Sequence, residues 1–358
     1  MELKIQTASA DQLRVKPAED TPLVFGRTFS DHMFMMEYQA GQGWLNPRIV
    51  PYRDLAMDPA AMVLHYGQGI FEGLKGYRCR DDRVHLFRPE KNLERLNRSA
   101  RRMCMPEVDA GFQLEVLDQL LRLDQDWIPR TVGASLYIRP TMIASEPALG
   151  VRPANQYLYY IITGPVGAYY PEGFNPIKIY VSDEYVRAVR GGVGEAKTMA
   201  NYAASLYAAE MAKKKGFTQV LWLDAVERRF VEEVGTMNIF FRIGHELITP
   251  QLTGSILPGV TRDSVLQLAR HWGLAVTERH IAIDEVLATI KSGDMVEIFG
   301  SGTAAVISPV GEIHYREEGY RVGDGGVGEW SRKFYDEIIG IQYGEKPDPF
   351  AWVRVVTR

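Results

Sequence analysis

Strand-like runs follow one another through the first half of the chain with turns between them, and that order limits the fold more than any other feature. HMFMMEY, from His32, carries apolar residues on both faces, GQGW can turn, and RVHLF follows the acidic turn at Asp81 and Asp82. The pattern predicts a mixed sheet. RPEKNLERLNRSARRM then puts Pro89 at a helix start and spaces Leu93, Leu96, Ala100 and Met103 along one face. Two more strands, SLYIRPTMI and QYLYYIITG, precede GPVGAYYPEG, whose glycines and prolines suit a chain crossing between domains. Beyond it the pattern predicts strands at IKIYVSDEY, TQVLWLD, RRFVEEV and MNIFFRI. Helices are predicted from about Ala200 to Lys215, at TRDSVLQLARHW and at SRKFYDEIIGI. Neither half alternates strand and helix regularly, as a doubly wound sheet would. With 358 residues, 46% of them hydrophobic, there is material for two cores. The reading is α+β, with a smaller domain over residues 1–166, a linker at 167–174 and a larger domain over 175–358.

Charge and composition remove several function classes. Lys and Arg total 41 against 45 Asp and Glu, a net charge of -4, which argues against nucleic acid as a partner. No apolar run approaches the ~20 residues that cross a bilayer. MELKIQTASADQ has acids and polar residues where a secretory signal has an apolar core, which predicts a cytoplasmic protein. Cys79 and Cys104 suggest neither a disulfide framework nor a zinc site, and the seven histidines include no close His-x-x-x-His pair, so no metal is expected.

Four stretches could carry chemistry. GGVGEAKTMANY, from Gly191, sets Lys197 among small residues that let a ligand approach closely, and a lysine works as a nucleophile when burial or neighbouring charge destabilises its ammonium. In LPGVTRDSV, Pro258-Gly259 makes a turn and Thr261 can cap the helix that follows, whose N-terminus would attract phosphate. EIFGSGTAAV ends a strand at Gly300 and offers Gly302, Thr303 and Ala304 as an anion nest. FVEEVGTMNIFF points Glu232 and Glu233 to opposite faces of a strand, so that one faces inward and calls for a cationic partner. Arg95, Arg98 and Arg102 share one side of a helix and could meet an anion. Taken singly, each has an ordinary explanation: a flexible loop, a capped helix, a turn, a solvated basic face. Together, a lysine for an imine, two anion cradles and an inward carboxylate are what pyridoxal phosphate needs.

These strings closely resemble the branched-chain amino acid aminotransferases, as do LVFGRTFSDHMF, LHYGQGIFEGLKGYR, LFRPEKNLERLNRSARRMCMP, SLYIRPTMIASEPALGV, ILPGVTRDSV and IQYG elsewhere in the chain. The resemblance covers almost the whole sequence. It implies the fold-type IV architecture shared with D-amino acid aminotransferases, with pyridoxal 5'-phosphate between the domains, and a homodimer or higher homo-oligomer. By the same resemblance Lys197 binds the cofactor covalently, Glu233 pairs with the pyridine nitrogen and Tyr202 bonds to the ring's phenolic oxygen. Arg95, Val260, Thr261 and Thr303 match phosphate-binding positions, Leu257 packs on the ring and Thr236 lies near its pyridine side. Phe25 or Phe29, Tyr66, Tyr137 and Tyr169 match the substrate pocket wall, with Arg139 and the backbone at Thr303 and Ala304 holding substrate carboxylates. Spacing does not settle which phenylalanine it is. The implied reaction is reversible transamination of L-leucine, L-isoleucine and L-valine with 2-oxoglutarate. D-amino acid aminotransferases and aminodeoxychorismate lyases carry the same lysine and glutamate, and a non-catalytic ligand-binding protein is the reading from another class. The sequence departs from many animal members where Ala305 and Ser308 replace a Cys-x-x-Cys pair, which removes a thiol switch and leaves transamination untouched.

Overall fold

The run HMFMMEYQ is buried at its first five residues because both of its faces are covered. Phe34 and Met36 join the main core of the first unit, whereas Met33 and Met35 pack with Val50 and Ile162 on the other side. The computed structural model, which describes residues 2–18, 21–131, 133–167 and 174–356, builds around this strand a sheet of nine. Its strands are β1 (Lys4–Ile5), β2 (His32–Gln39), β3 (Gly43–Pro51), β4 (Gly69–Phe71), β5 (Leu74–Arg78), β6 (Val84–Phe87), β7 (Ser135–Ala144), β8 (Gln156–Val166) and a distant strand at Val353–Val356. The order is β1-β3-β2-β8-β7-β5-β6 and then the distant strand, with β4 also on β7. All pairs are antiparallel except β1 with β3. A short α1 (Met62–Tyr66) precedes β4, and α2 (Pro89–Arg102) and α3 (Ala110–Leu123) lie on one face of the sheet. There Leu93, Leu96 and Ala100 of α2 and Val116, Leu117 and Leu120 of α3 bury against Leu86, Leu136 and Ile138. Each of the leucine, isoleucine and valine side chains contributes about 1.5–3 kcal/mol.

The second unit also has nine strands: β9 (Ile177–Ser182), β10 (Gln219–Leu223), β11 (Val231–Val234), β12 (Met237–Ile243), β13 (Glu246–Thr249), β14 (Ala275–Glu278), β15 (Met295–Gly302), β16 (Val306–Tyr315) and β17 (Glu318–Arg321). The distant strand of the first sheet is therefore β18. The order β11-β10-β9-β16-β15-β12 returns to β11, because β12 also pairs with it, and six strands close into a ring. The closing turn is the two-residue hairpin Gly235-Thr236, where Gly235 takes the left-handed φ of +57 and a Cβ would have to displace the Gln219 side-chain amide, 1.9 Å away. Helices α4 (Met199–Lys214), α5 (Val260–His271), α6 (Ile283–Ser292) and α7 (Glu329–Gln342) complete the chain. Among the described residues no helix is long and apolar enough to cross a membrane.

The two units differ from the domains expected of the sequence. Residues 1–169, 196–199 and 340–358 form one, and 170–195 and 200–339 the other. The sequence reading assigned 175–358 entirely to a larger second domain; the structure returns 340–358 to the first unit, because β18 pairs with β6 and Trp352 lies against Phe87. The first unit is thereby the larger. The expected linker at 167–174 lies mostly outside the described residues. RRFVEEV yields a strand only from Val231, and the TRDSVLQLARHW helix begins one residue earlier, at Val260.

Candidate active site

In the first unit Lys197 is fixed by its backbone before its side chain is considered. Its N–H donates to Ser99 Oγ at 2.9 Å, its carbonyl accepts from Phe71 N–H at 3.0 Å, and Thr198 Oγ1 donates to Gly69 O at 2.9 Å. Residues 196–199 thus run as a short antiparallel partner of β4. The ammonium lies 5.0 Å from the centre of the Phe71 ring, and the Arg139 guanidinium lies 4.7 Å from the same ring. Arg139 also donates to the Tyr137 hydroxyl at 3.0 Å, and its Nε is buried with no hydrogen-bond partner. On β7 alternation sends Leu136 and Ile138 into the core and leaves Tyr137 and Arg139 half-buried on the opposite face. Gly73 is required beneath them, since a Cβ there would lie 2.0 Å from the Tyr137 oxygen.

Phe25 meets Tyr137 edge-on at 4.8 Å, whereas Phe29 stacks on Tyr52 at 5.3 Å. Of the two phenylalanines, Phe25 is the one placed against the Tyr137 and Arg139 group. Tyr66 ends α1 and is exposed in this chain, and Tyr169 lies outside the described residues.

Arg95 is buried, unlike the exposed Arg98 and Arg102 of the same helix. Its Nε and Nη2 donate to the two oxygens of Glu72 at 2.7 and 2.9 Å, and Asn92 Nδ2 and Gly73 N–H add bonds of 3.0 and 3.1 Å. Burial pushes the Glu72 carboxyl up, but Arg95, Lys197 and Asn92 together hold it below its ordinary value. Four donors satisfy this carboxylate, which is what a fully buried ion pair requires.

In the second unit Glu233 faces a cleft lined by Arg187, Asn201, Tyr202, Ser205, Gly235, Thr236 and Leu257. Arg187 Nε pairs with Glu233 Oε2, and Asn238 Nδ2 reaches Glu233 Oε1 at 3.2 Å and Leu257 O at 2.9 Å. Neither Arg187 nor Asn238 was singled out from the sequence, where nothing separates Arg187 from Arg190 or gives Asn238 a partner. Leu257 leads into Gly259, which occupies the N-cap of α5 without a side-chain hydrogen bond. Thr261 is therefore a first-turn residue and not the predicted cap; it is buried beside Val260. Thr303, Ala304 and Ala305 form the half-buried turn between β15 and β16, followed by Val306 at φ +61, a strained setting for a β-branched residue.

The sequence from 69 to 313 matches the model of the amino-transferase class IV family. The chain is 57% identical over 95% of its length to branched-chain-amino-acid aminotransferase 2 of Bacillus subtilis, covering 94% of that protein. The chain belongs to the branched-chain amino acid aminotransferase family. Solved members agree in fold: the Escherichia coli branched-chain amino acid aminotransferase superposes with a TM-score of 0.75 at 27% identity, over 90% of this chain and 99% of that one. The T.th. branched-chain amino acid aminotransferase with pyridoxamine 5'-phosphate gives 0.74 at 25% identity, over 90% and 98%. Fold-type IV, as expected from the sequence, is thus the fold of this family member.

Proposed function

We propose that this chain is a pyridoxal phosphate-dependent aminotransferase that exchanges the amino group of L-leucine, L-isoleucine and L-valine with 2-oxoglutarate. The observation that carries the reading is Lys197, anchored through Ser99 and Phe71 on both sides of its peptide unit, in a chain 57% identical to a branched-chain aminotransferase. The residues fit the cofactor. Glu233, held by Arg187 and Asn238, supplies a fixed carboxylate for a pyridine nitrogen, with the Tyr202 side chain lining the same cleft. The first turn of α5, with Gly259 at its N-cap, and the Thr303 turn supply the amide and hydroxyl chemistry a phosphate needs. When bound, pyridoxal phosphate supplies an electron sink for the substrate's α-carbon.

The rest falls to the chain's own groups. Lys197 Nζ would carry the cofactor and then move the proton from the substrate α-carbon. Glu233 would hold the proton at the ring nitrogen, and Tyr202 would fix the phenolic side. Arg95, Val260, Thr261 and Thr303 are assigned to phosphate, and Leu257 and Thr236 to the ring. Phe25, chosen over Phe29 by its contact with Tyr137, is assigned with Tyr66, Tyr137 and Tyr169 to the substrate side chain, and Arg139 with the backbone at Thr303 and Ala304 to carboxylates. Arg139, with its buried Nε unpartnered, suits the second carboxylate of glutamate, while the aromatic wall suits the branched chain.

The reading includes a homodimer or larger assembly working in the cytoplasm. Self-association is supported by Leu64 of α1 and by Leu149 and Val151, all largely exposed, on two segments that the Ala61 to Pro147 bridge joins. A reducing compartment suits the free thiols Cys79 and Cys104. The deciding measurement is the visible spectrum of cofactor-loaded protein given L-leucine alone, with D-alanine as control. The bound-cofactor band is expected to fade only with L-leucine and to return with 2-oxoglutarate; a response to D-alanine instead would sink the substrate assignment.

A further inference from the structure

The sequence turns one of two adjacent glutamates inward, yet the structure buries both, and only Glu233 has a place in the reaction above. Glu232 accepts a hydrogen bond at Oε1 from Ser255 Oγ, and Thr253 Oγ1 lies 3.0 Å from that hydroxyl. Glu232 Oε2 is buried with no hydrogen-bond partner. The backbone oxygen of the same Ser255 accepts from Arg187 Nη2, while Arg187 Nε faces Glu233 Oε2. Two buried carboxylates therefore flank one guanidinium through a shared serine. The arrangement leaves no slack at Gly194, where a Cβ would lie 2.2 Å from Ser255 O.

An ionised carboxylate with a buried, unpartnered oxygen is far more costly than a neutral acid in the same place. A proton on Oε1 reverses the bond to Ser255: Glu232 donates, the Ser255 hydroxyl keeps its hydrogen and turns it to donate to Thr253 Oγ1, and Oε2 becomes an uncharged carbonyl oxygen. The ionisable groups around Glu232 are Arg187 and His280, which favour its charged form, and Asp224, which opposes it. Burial outweighs the attraction and pushes the carboxyl up.

We propose that Glu232 is a positioning residue that stays protonated, tying down the Ser255 segment while leaving the charge of Arg187 to Glu233. The inference rests on the assignment of Glu233 to the pyridine nitrogen. A second negative charge at Glu232 would draw Arg187 away from Glu233, so function would be lost as pH rises through the titration of Glu232.

Glu232→Gln separates this from a structural role, because glutamine keeps the shape and cannot ionise. Infrared difference spectra between neutral and alkaline pH, taken on protein without cofactor, should contain a protonated-acid carbonyl band in wild type that the variant lacks. Cofactor-loaded Glu232→Gln should turn over within about twofold of wild type at neutral pH and lose the alkaline fall. A wild type without the band, or a variant slowed more than about tenfold at neutral pH, would overturn the proposal. The infrared arm needs no cofactor, so its outcome stays distinct from failure of the aminotransferase reading.

Discussion

Lys75 stands opposite Tyr137 in the register of β5 and β7 and is buried. Burial pulls its amine down from 10.5 to about 8. Below about 8 both folded and unfolded chains carry the proton, and the folded state bears the full cost of a buried charge. Between about 8 and 10.5 the folded state releases it first, so stability rises with pH, by about 3 kcal/mol over that span. Urea unfolding of wild type and Lys75→Met should therefore draw together, or cross, as pH rises from about 7 to about 10.5 in wild type's favour; a constant gap refutes the linkage. Single residues stood out in the sequence where a local pattern marked them, as with Lys197 in its glycine stretch. Arg95 was read from its helix face as an anion binder. Its partner Glu72 lies on another element, and no spacing rule connects the two. Arg187 was missed for the same reason, since its value comes from Glu233 and Ser255, both remote in sequence.

At the scale of elements, the approach of β12 to the start of α5 depends on one glycine. Gly259 has an extended backbone, φ -71 and ψ 136, open to any residue, so conformation does not select it. Space does, because a Cβ would lie 2.0 Å from Asn238 Oδ1. Gly259→Ala should displace Asn238 from Glu233 and Leu257, cost about 1–3 kcal/mol in thermal unfolding and weaken cofactor binding. An unshifted Tm would show that the turn relaxes freely. Most strands and helices were legible, because apolar periodicity and turn residues are local signals. The closure of the second sheet was not: the β11 to β12 hairpin reads as an ordinary turn, and the β12 to β15 pairing that completes the ring spans distant sequence. That closure also covers both faces of β11, so the alternation argument for one inward glutamate fell short.

On the scale of the whole molecule, the first unit is assembled from three separate stretches of chain. Sequence composition marks a crossing such as GPVGAYYPEG, but nothing in it reveals that a later strand returns to β6. Removing residues 346–358 would strip β18 from that edge, with the Trp352 contact to Phe87 and the 2.6 Å ion pair of Arg354 with Asp118. The truncated chain should be cut by protease within residues 1–169 at temperatures where the full chain resists, and should aggregate through the bared strand. Equal resistance would mean that β18 contributes nothing.

The return of β18 also has a meaning for biosynthesis. Every other strand of both sheets leaves the ribosome before residues 353–356 do, so during translation the β6 edge stays open while the second unit is being made. The nascent protein passes through an interval in which its earliest sheet is nearly complete but open along β6, and that edge is one for holdase chaperones to shield until synthesis reaches β18.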